Sequence, residues 1–377
     1  MIIKFALILA IVIAMFLAST KMSYRNIWVL NLLCCIILSI FAYHLVPLKS
    51  LDIYRYYTQI EIAKQSGLEF LLKHNDYSAL PIAGLYVSIF VILNNKFLLP
   101  AVTCFIYYFF ISNIMIKYSK NNKKSKYGLM IALIAFYLIS NYLGVISGIR
   151  NPMAISLFCY ILYKDLVMSA SFKKCLLGYI LLCFFHPSVI ILLIIRLLLL
   201  LSKRHDKIIC MLLLLWTLMK TNLLTILLKV TNNSYILLLS QKLTSYDSTE
   251  ANAVANVSLY TVVYSIFYIS SVVIYFIYKA KCTRNENNRN EKYDRFLKFL
   301  LCFCIGSIFE YHMFVRFSRS VLMLLSLPII NIISCEKFNS KNKLLVLFLV
   351  LIESLIFLLF YMTGQYTSIS FFYGGEK

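Results

Sequence analysis

The sequence predicts an all-α, polytopic membrane protein: one domain over 1–377, built as a bundle of about 12 transmembrane helices. Three observations carry that prediction. Hydrophobic residues make up 61% of the chain and charged residues only 14%, a balance that a water-facing surface of this size does not tolerate. Apolar runs of about 20 residues recur from end to end, each long enough to cross a hydrocarbon core as a helix. The net charge of +22 resides in short loops between those runs, as the positive-inside bias arranges it. The charge therefore reports topology, and a nucleic-acid partner is set aside.

In chain order, spans are expected near 2–18, 27–46, 97–116, 127–146, 152–168, 208–228, 257–278, 296–313, 320–334 and 344–362, with the stretch 175–202 adding two more. The run from Phe5 to Ala18 has the length of a signal peptide. It lacks a clear small-residue cleavage site and runs into Lys21 and Arg25, so it is read as an uncleaved span. The basic loops on one side then hold Lys21 and Arg25, the 117–126 lysines, Lys173 and Lys174, Lys203 to Lys207, the run 279–295, and Lys337 to Lys343. Within that run, 281–295 reads as a mobile cytoplasmic linker.

Two stretches decide the parity. The apolar stretch 79–93 is short for a span and is read as re-entrant or interfacial, which leaves 47–96 as one external segment. A second external segment is expected at 229–256. The stretch 175–202 has basic clusters at both ends and is interrupted by His186 and Pro187. A proline there breaks the helix, and a hairpin keeps both clusters on one side.

The chain is arranged around Ile146 to Ala154, which puts Arg150 in a break between two apolar runs. Gly148 permits backbone conformations that other residues avoid, and Pro152 suits the first turn of a following helix, so the segment reads as a tight corner at a membrane surface. A guanidinium near a helix N-terminus suits a phosphate or diphosphate; the plainer reading is an arginine that snorkels to head groups. The other polar residues that need a reason are Asp52, Arg55 and Tyr56, then Glu61 and Glu69, His186, and Glu310, His312, Arg316 and Arg319. The topology puts them all on the external side. Arginines there oppose the orientation bias, so they are expected to bind something, and several together can hold a diphosphate. Arg316 and Arg319 lie one helical turn apart on one face. Asp52 and Arg55 are also spaced to pair with each other, and His186 to serve only as a satisfied helix-break histidine.

Eleven cysteines sit mostly inside apolar runs and imply no disulfide framework. No cluster with metal-ligand spacing occurs in the sequence, so neither a metal site nor a cofactor is expected.

As a set, these features resemble the EpsG-like and Wzy-type family of bacterial polysaccharide polymerases. The motifs are Asp52 to Tyr57, Glu69 with Phe70, Gly148 and Arg150 followed by Met153 and Ala154, Phe185 to Ser188, and the late Arg316 and Arg319 before Pro328. Asn151 stands where the family commonly has Gln, and Phe70 and Leu71 stand where it has Pro-Gly. The resemblance implies a metal-independent glycosyltransferase in the bacterial cytoplasmic membrane, making O-antigen, capsule or exopolysaccharide. A growing glycan on undecaprenyl diphosphate would pass to another lipid-linked oligosaccharide at the outer face. The implied partners are that lipid-linked oligosaccharide, the bilayer, a chain-length regulator and a flippase. Arg150, Arg316, Arg319, Arg55 and Tyr56 would bind the substrate diphosphate, and His186, Asp52 and Glu310 are candidates to activate or orient the acceptor hydroxyl. A flippase for the same lipid, or an O-antigen ligase, would share much of this chemistry.

Overall fold

The computed structural model describes residues 22–47, 49, 51–73, 77–216, 257–282, 291–308, 310–336 and 338–364. The described residues form helices and no strand. In chain order these are α1 Tyr24–Tyr43, α2 Asp52–Ser66, α3 Leu68–Lys73, α4 Pro81–Ile92, α5 Leu98–Asn121, α6 Lys126–Ile139, α7 Tyr142–Gly148 and α8 Arg150–Leu162. They continue as α9 Phe172–Cys183, α10 Ser188–Leu198, α11 Asp206–Leu214, α12 Val257–Cys282, α13 Glu291–Gly306, α14 Tyr311–Ser334 and α15 Ser340–Gly364. The expected spans 2–18 and most of 208–228, and the expected external segment 229–256, lie outside the described residues.

Local chemistry sets several of the starts and stops. Ser23 caps α1 by accepting from the Asn26 N–H at 3.2 Å, and Ser125 caps α6 by accepting from the Tyr127 N–H at 3.2 Å, each satisfying one of the donors a helix start leaves open. Pro81 opens α4, where its missing N–H costs no helical bond. Gly67, at φ 88°, stops α2 in a conformation that disfavours other residues.

Four helical stretches among the described residues are long and apolar enough to cross a membrane: Tyr24–Tyr43, Leu98–Asn121, Val262–Ala280 and Met313–Ser334. A fifth crossing is possible if α6 and α7, bent by 64° at their junction, count as one span. Inside the bundle, polar side chains pair with one another. Asn31 of α1 donates to Ser112 of α5 at 2.8 Å and accepts from the Tyr137 hydroxyl of α6 at 3.0 Å. Asn331 of α14 pairs with Tyr118 of α5. Such pairs join helices where apolar contact alone gives little preference over lipid.

Hydrogen bonds between elements fix which helix ends lie together. Tyr24 donates to the Lys124 carbonyl at 2.8 Å, the Ser125 N–H to Ser334 at 3.0 Å, and Asn121 contacts the Met168 sulfur at 3.8 Å. The start of α1 and the ends of α5, α8 and α14 therefore share one end, which carries the 117–126 lysines. At the opposite end Asn95 donates to Tyr43 at 3.1 Å. The chain between Tyr43 and Asn95 thus leaves and returns at one end, and α4, about 18 Å long at 1.5 Å per residue, is too short to cross.

The stretch 175–202 turns back at His186 as its proline predicts, with Pro187 at the N-cap of α10. The two arms differ from the expected spans, because α9 and α10 are only about 18 and 16 Å long. Arg196, near the end of α10, returns to Asp165, which sits in a π-helical turn, Tyr163–Val167, that continues α8. Arg295 of α13 then fastens the hairpin's exit, donating to both carboxylate oxygens of Asp206 and to the carbonyls of Leu199 and Leu201.

Three boundaries depart from the sequence reading. The run 127–146 breaks at Ser140 and Asn141. The expected linker 281–295 contributes its last five residues to α13, with Asp294 and Arg295 buried. The expected spans 296–313 and 320–334 regroup, because α13 ends at Gly306 and a single helix, α14, carries Arg316 and Arg319 in its first turns. Two charges between apolar runs placed the expected span boundary there, but a helix accommodates them where they face protein.

Candidate functional site

The corner around Arg150 is built from two breaks. At the first, Ser140 and Asn141 end α6, and the Asn141 side-chain carbonyl accepts from the Gly144 N–H at 2.7 Å to cap α7. At the second, α7 runs through Gly148, and the positive φ falls on Ile149, at 32°. Gly148 is therefore not the residue that makes the turn. Ile149 is held there by complete burial, since a β-branched residue does not adopt a positive φ unaided. Arg150 opens α8, and Pro152 lies in its first turn, where no helical N–H bond is lost.

Arg150 is 6% exposed. Its Nε donates to the Tyr56 hydroxyl at 2.7 Å, and its guanidinium lies over the rings of Tyr56 and Tyr77 at 5.7 and 5.5 Å. It is a packed side chain, not one extended toward head groups. Tyr56 comes from the inward face of α2 and Tyr77 from the turn before α4, so the segment between α1 and α5 closes over the corner.

The next residue connects the corner to the hairpin. The Asn151 amide nitrogen donates to Ser188 Oγ at 3.0 Å and lies 3.5 Å from His186 Nδ1. Ser188 Oγ is 2.7 Å from the same Nδ1, and the Ser188 backbone N–H donates to it at 3.2 Å. Tyr56, Arg150, Asn151, Ser188 and His186 therefore form one continuous chain of contacts across α2, α8 and the hairpin turn.

On α7, a methyl placed on Gly144 would lie 2.7 Å from a terminal nitrogen of Arg319 and 2.9 Å from the Asn141 side chain. The missing side chain is what admits the Arg319 guanidinium to the bend. At the same bend the Tyr107 hydroxyl of α5 is 3.4 Å from Ser140 Oγ. Arg319 lies about four helical turns above Ser334, and Arg150 about four above Asp165. Both are therefore roughly 22 Å from the basic end. Arg316 is half-buried one turn before Arg319.

The remaining predicted residues lie elsewhere. Asp52 and Arg55 pair with each other at 3.6 Å, and their side chains are 64% and 62% exposed on the outer face of α2. Glu310 is buried at the N-cap of α14, where its carbonyl accepts from the Phe314 N–H at 2.9 Å. Glu69 pairs with Lys73. Glu61 lies 3.0 Å from Lys96 and 3.3 Å from Lys64, and the hydrogen bond from Lys96 is the largest cause that holds its carboxyl below the usual glutamate range. Sequence reasoning singled out neither Asn141 nor Gly144. The signal for both was a polar Ser-Asn pair inside an apolar run, which marks a helix stop followed by an N-cap.

These features define a polytopic helical membrane protein whose polar site gathers arginines and a histidine at one level of the bundle. The chain matches the EpsG family over residues 50–373, and it belongs to that family. Membership points to a membrane-seated polymerase of polysaccharide biosynthesis with glycosyltransferase-type chemistry. No curated protein and no solved structure matches the chain.

Proposed function

We propose that the protein polymerises lipid-linked oligosaccharide repeat units at the outer face of the bacterial cytoplasmic membrane, moving a growing glycan from undecaprenyl diphosphate onto another lipid-linked unit. The observation that carries this reading is the buried Arg150, fixed by Tyr56 at the start of α8 and linked through Asn151 to His186. In the transfer, the bond between the sugar's anomeric carbon and the phosphate oxygen breaks as the acceptor oxygen bonds that carbon. The leaving diphosphate gains charge, and arginines with a helix N-terminus stabilise it. Arg150 and Arg319, with Arg316 one turn away, supply the cations, and Arg55 lies on the approach along α2. The acceptor hydroxyl loses its proton to a nearby base, for which His186, Glu310 and Asp52 are the candidates. The depth of the arginines, far from the lysine-rich end, supports an opening to the outer face.

Glycan chain length, in cells carrying the full pathway, tests this. Wild type gives a ladder of long polymers. Arg150→Ala, at normal protein level, should stop at one repeat unit. Arg150→Lys should fall between the two, because it keeps charge without the bidentate fork. A full ladder from Arg150→Ala and Arg316→Ala together sinks the reading. Loss of all glycan, the single unit included, favours transport of the lipid-linked unit instead.

A further inference from the structure

We infer that His186 acts in the transfer as a hydrogen-bond donor through Nε2, not as the base on the acceptor hydroxyl, and that Ser188 and Asn151 are the positioning residues that impose this role. The inference rests on the polymerase reading above.

A backbone N–H only donates, so the Ser188 N–H at 3.2 Å makes His186 Nδ1 an acceptor. The Ser188 hydroxyl, 2.7 Å from the same nitrogen, already accepts from the Asn151 amide at 3.0 Å. Its own proton is therefore directed at Nδ1. With the Nδ1 lone pair engaged from two sides, the neutral imidazole carries its proton on Nε2. To take a proton, the ring must use Nδ1, which Ser188 occupies, or Nε2, which already bears one. Protonating Nδ1 would set two donors against each other beside Ser188. The ring is thus arranged to keep its proton and to offer it.

The group that takes such a donor in this reaction is an oxygen of the diphosphate, whose negative charge grows as the glycosidic bond to phosphate breaks. His186 forms and breaks no covalent bond in this role, and its proton stays on Nε2 throughout. The acceptor hydroxyl's proton must then leave to another group. Of the other candidates, Asp52 is exposed and paired with Arg55, whereas Glu310 is buried at the start of α14, the helix that carries Arg316 and Arg319. Asn151 follows Arg150 directly, so one turn of α8 orients both the guanidinium and, through Ser188, the imidazole. The sequence at this point thus has a geometric use: an amide after the arginine is what holds the histidine's tautomer.

The test is a set of His186 variants scored by glycan ladder at matched protein level in the membrane. Glutamine places an amide N–H near the position of Nε2–H, whereas glutamate supplies a base and no donor. His186→Gln should keep a shortened ladder, while His186→Ala and His186→Glu stop at one unit, a loss of about ten- to a hundredfold in rate. A ladder from His186→Glu, or a His186→Gln variant as inactive as His186→Ala, overturns the donor role. The positioning role is read from a second set. Ser188→Ala should shorten the ladder and Ser188→Thr restore it. Ser188→Ala should add no further loss in the His186→Gln background, because Ser188 acts through the imidazole. Equal losses in both backgrounds would mean that Ser188 serves only the fold, and would overturn its assignment. If Arg150→Ala and Arg316→Ala both retain the full ladder, the polymerase reading itself has failed. If Arg150→Ala stops at one unit while His186→Gln is inactive, only the donor role has failed.

Discussion

Arg196 grips Asp165 with two hydrogen bonds, Nε to Oδ2 at 2.6 Å and a terminal nitrogen to Oδ1 at 3.1 Å, and both side chains are 4% exposed. Tyr179 donates to the same carboxylate at 3.1 Å, and the Arg196 guanidinium lies 4.6 Å from the Phe172 ring. Removing one partner of a buried pair leaves the other charge uncompensated, at a cost of about 3–5 kcal/mol. Asp165→Ala and Arg196→Ala should each lower the melting temperature of the detergent-purified protein strongly. The double variant should lose much less than their sum. Additive losses would show that the two residues do not act as a pair.

Gly144→Ala separates stability from activity. Alanine is the better helix former, a gain that offsets the crowding of the Asn141 cap 2.9 Å from the new methyl. Its methyl group, however, occupies the place of the Arg319 terminal nitrogen, and the flexible arginine moves more easily than the backbone. Melting temperature should change little while the ladder shortens toward the Arg319→Ala phenotype. An unchanged ladder would mean that the position of Arg319 at the bend is irrelevant to polymerisation.

Tyr56→Phe retains the ring under Arg150 and deletes only the hydroxyl that accepts from Nε. A hydrogen bond to a charged donor is worth about 1.5–3 kcal/mol, so the ladder should shorten, though less than in Arg150→Ala. If Tyr56→Phe is as severe as Arg150→Ala at equal protein level, the tyrosine hydroxyl has a role of its own toward substrate.

Glu61 sets a pH dependence in the segment over the site. Its folded carboxyl titrates below its unfolded value, first because Lys96 hydrogen-bonds it. Its contribution is therefore fully present above the ordinary glutamate range, about 4.3, and is lost as pH falls through the lower, folded value. Its side chain is 44% exposed, so the effect is small. The melting-temperature gap between wild type and Glu61→Gln should exist at neutral pH and close in acid. A gap that widens as pH falls would contradict the sign.

Part of the architecture was legible because bilayer physics is severe: apolar length and Pro187 predicted the all-helical bundle and the turn at His186, while four or five of the expected dozen spans are long and apolar enough to cross among the described residues. Arg150 stood out because an arginine between apolar runs needs a reason. Less legible were features that depend on distant partners. Asp165 and Arg196 each look like stray charges until the hairpin brings them together. Arg316 and Arg319 show helical spacing in the sequence, but that the helix runs unbroken through them from Tyr311 to Ser334 depends on the neighbours that receive their charge. Asp52 and Arg55, whose spacing allowed either a substrate role or a simple pair, lie side by side on an exposed helix face. Asn151 stands in the sequence only as a departure from a motif, and its link to Ser188 arises only when the hairpin folds against α8.

The shortness of α9 and α10 bears on how the protein is made. An arm of 11 or 12 residues cannot be released into lipid as an independent helix, because its ends would leave backbone groups stranded in hydrocarbon, and α10 carries an arginine besides. The two arms are therefore expected to enter together, against the π turn bearing Asp165 that receives that arginine. Residues synthesised first thus form the template for those that follow, and a chain lacking Asp165 should reach the membrane at a lower level than wild type.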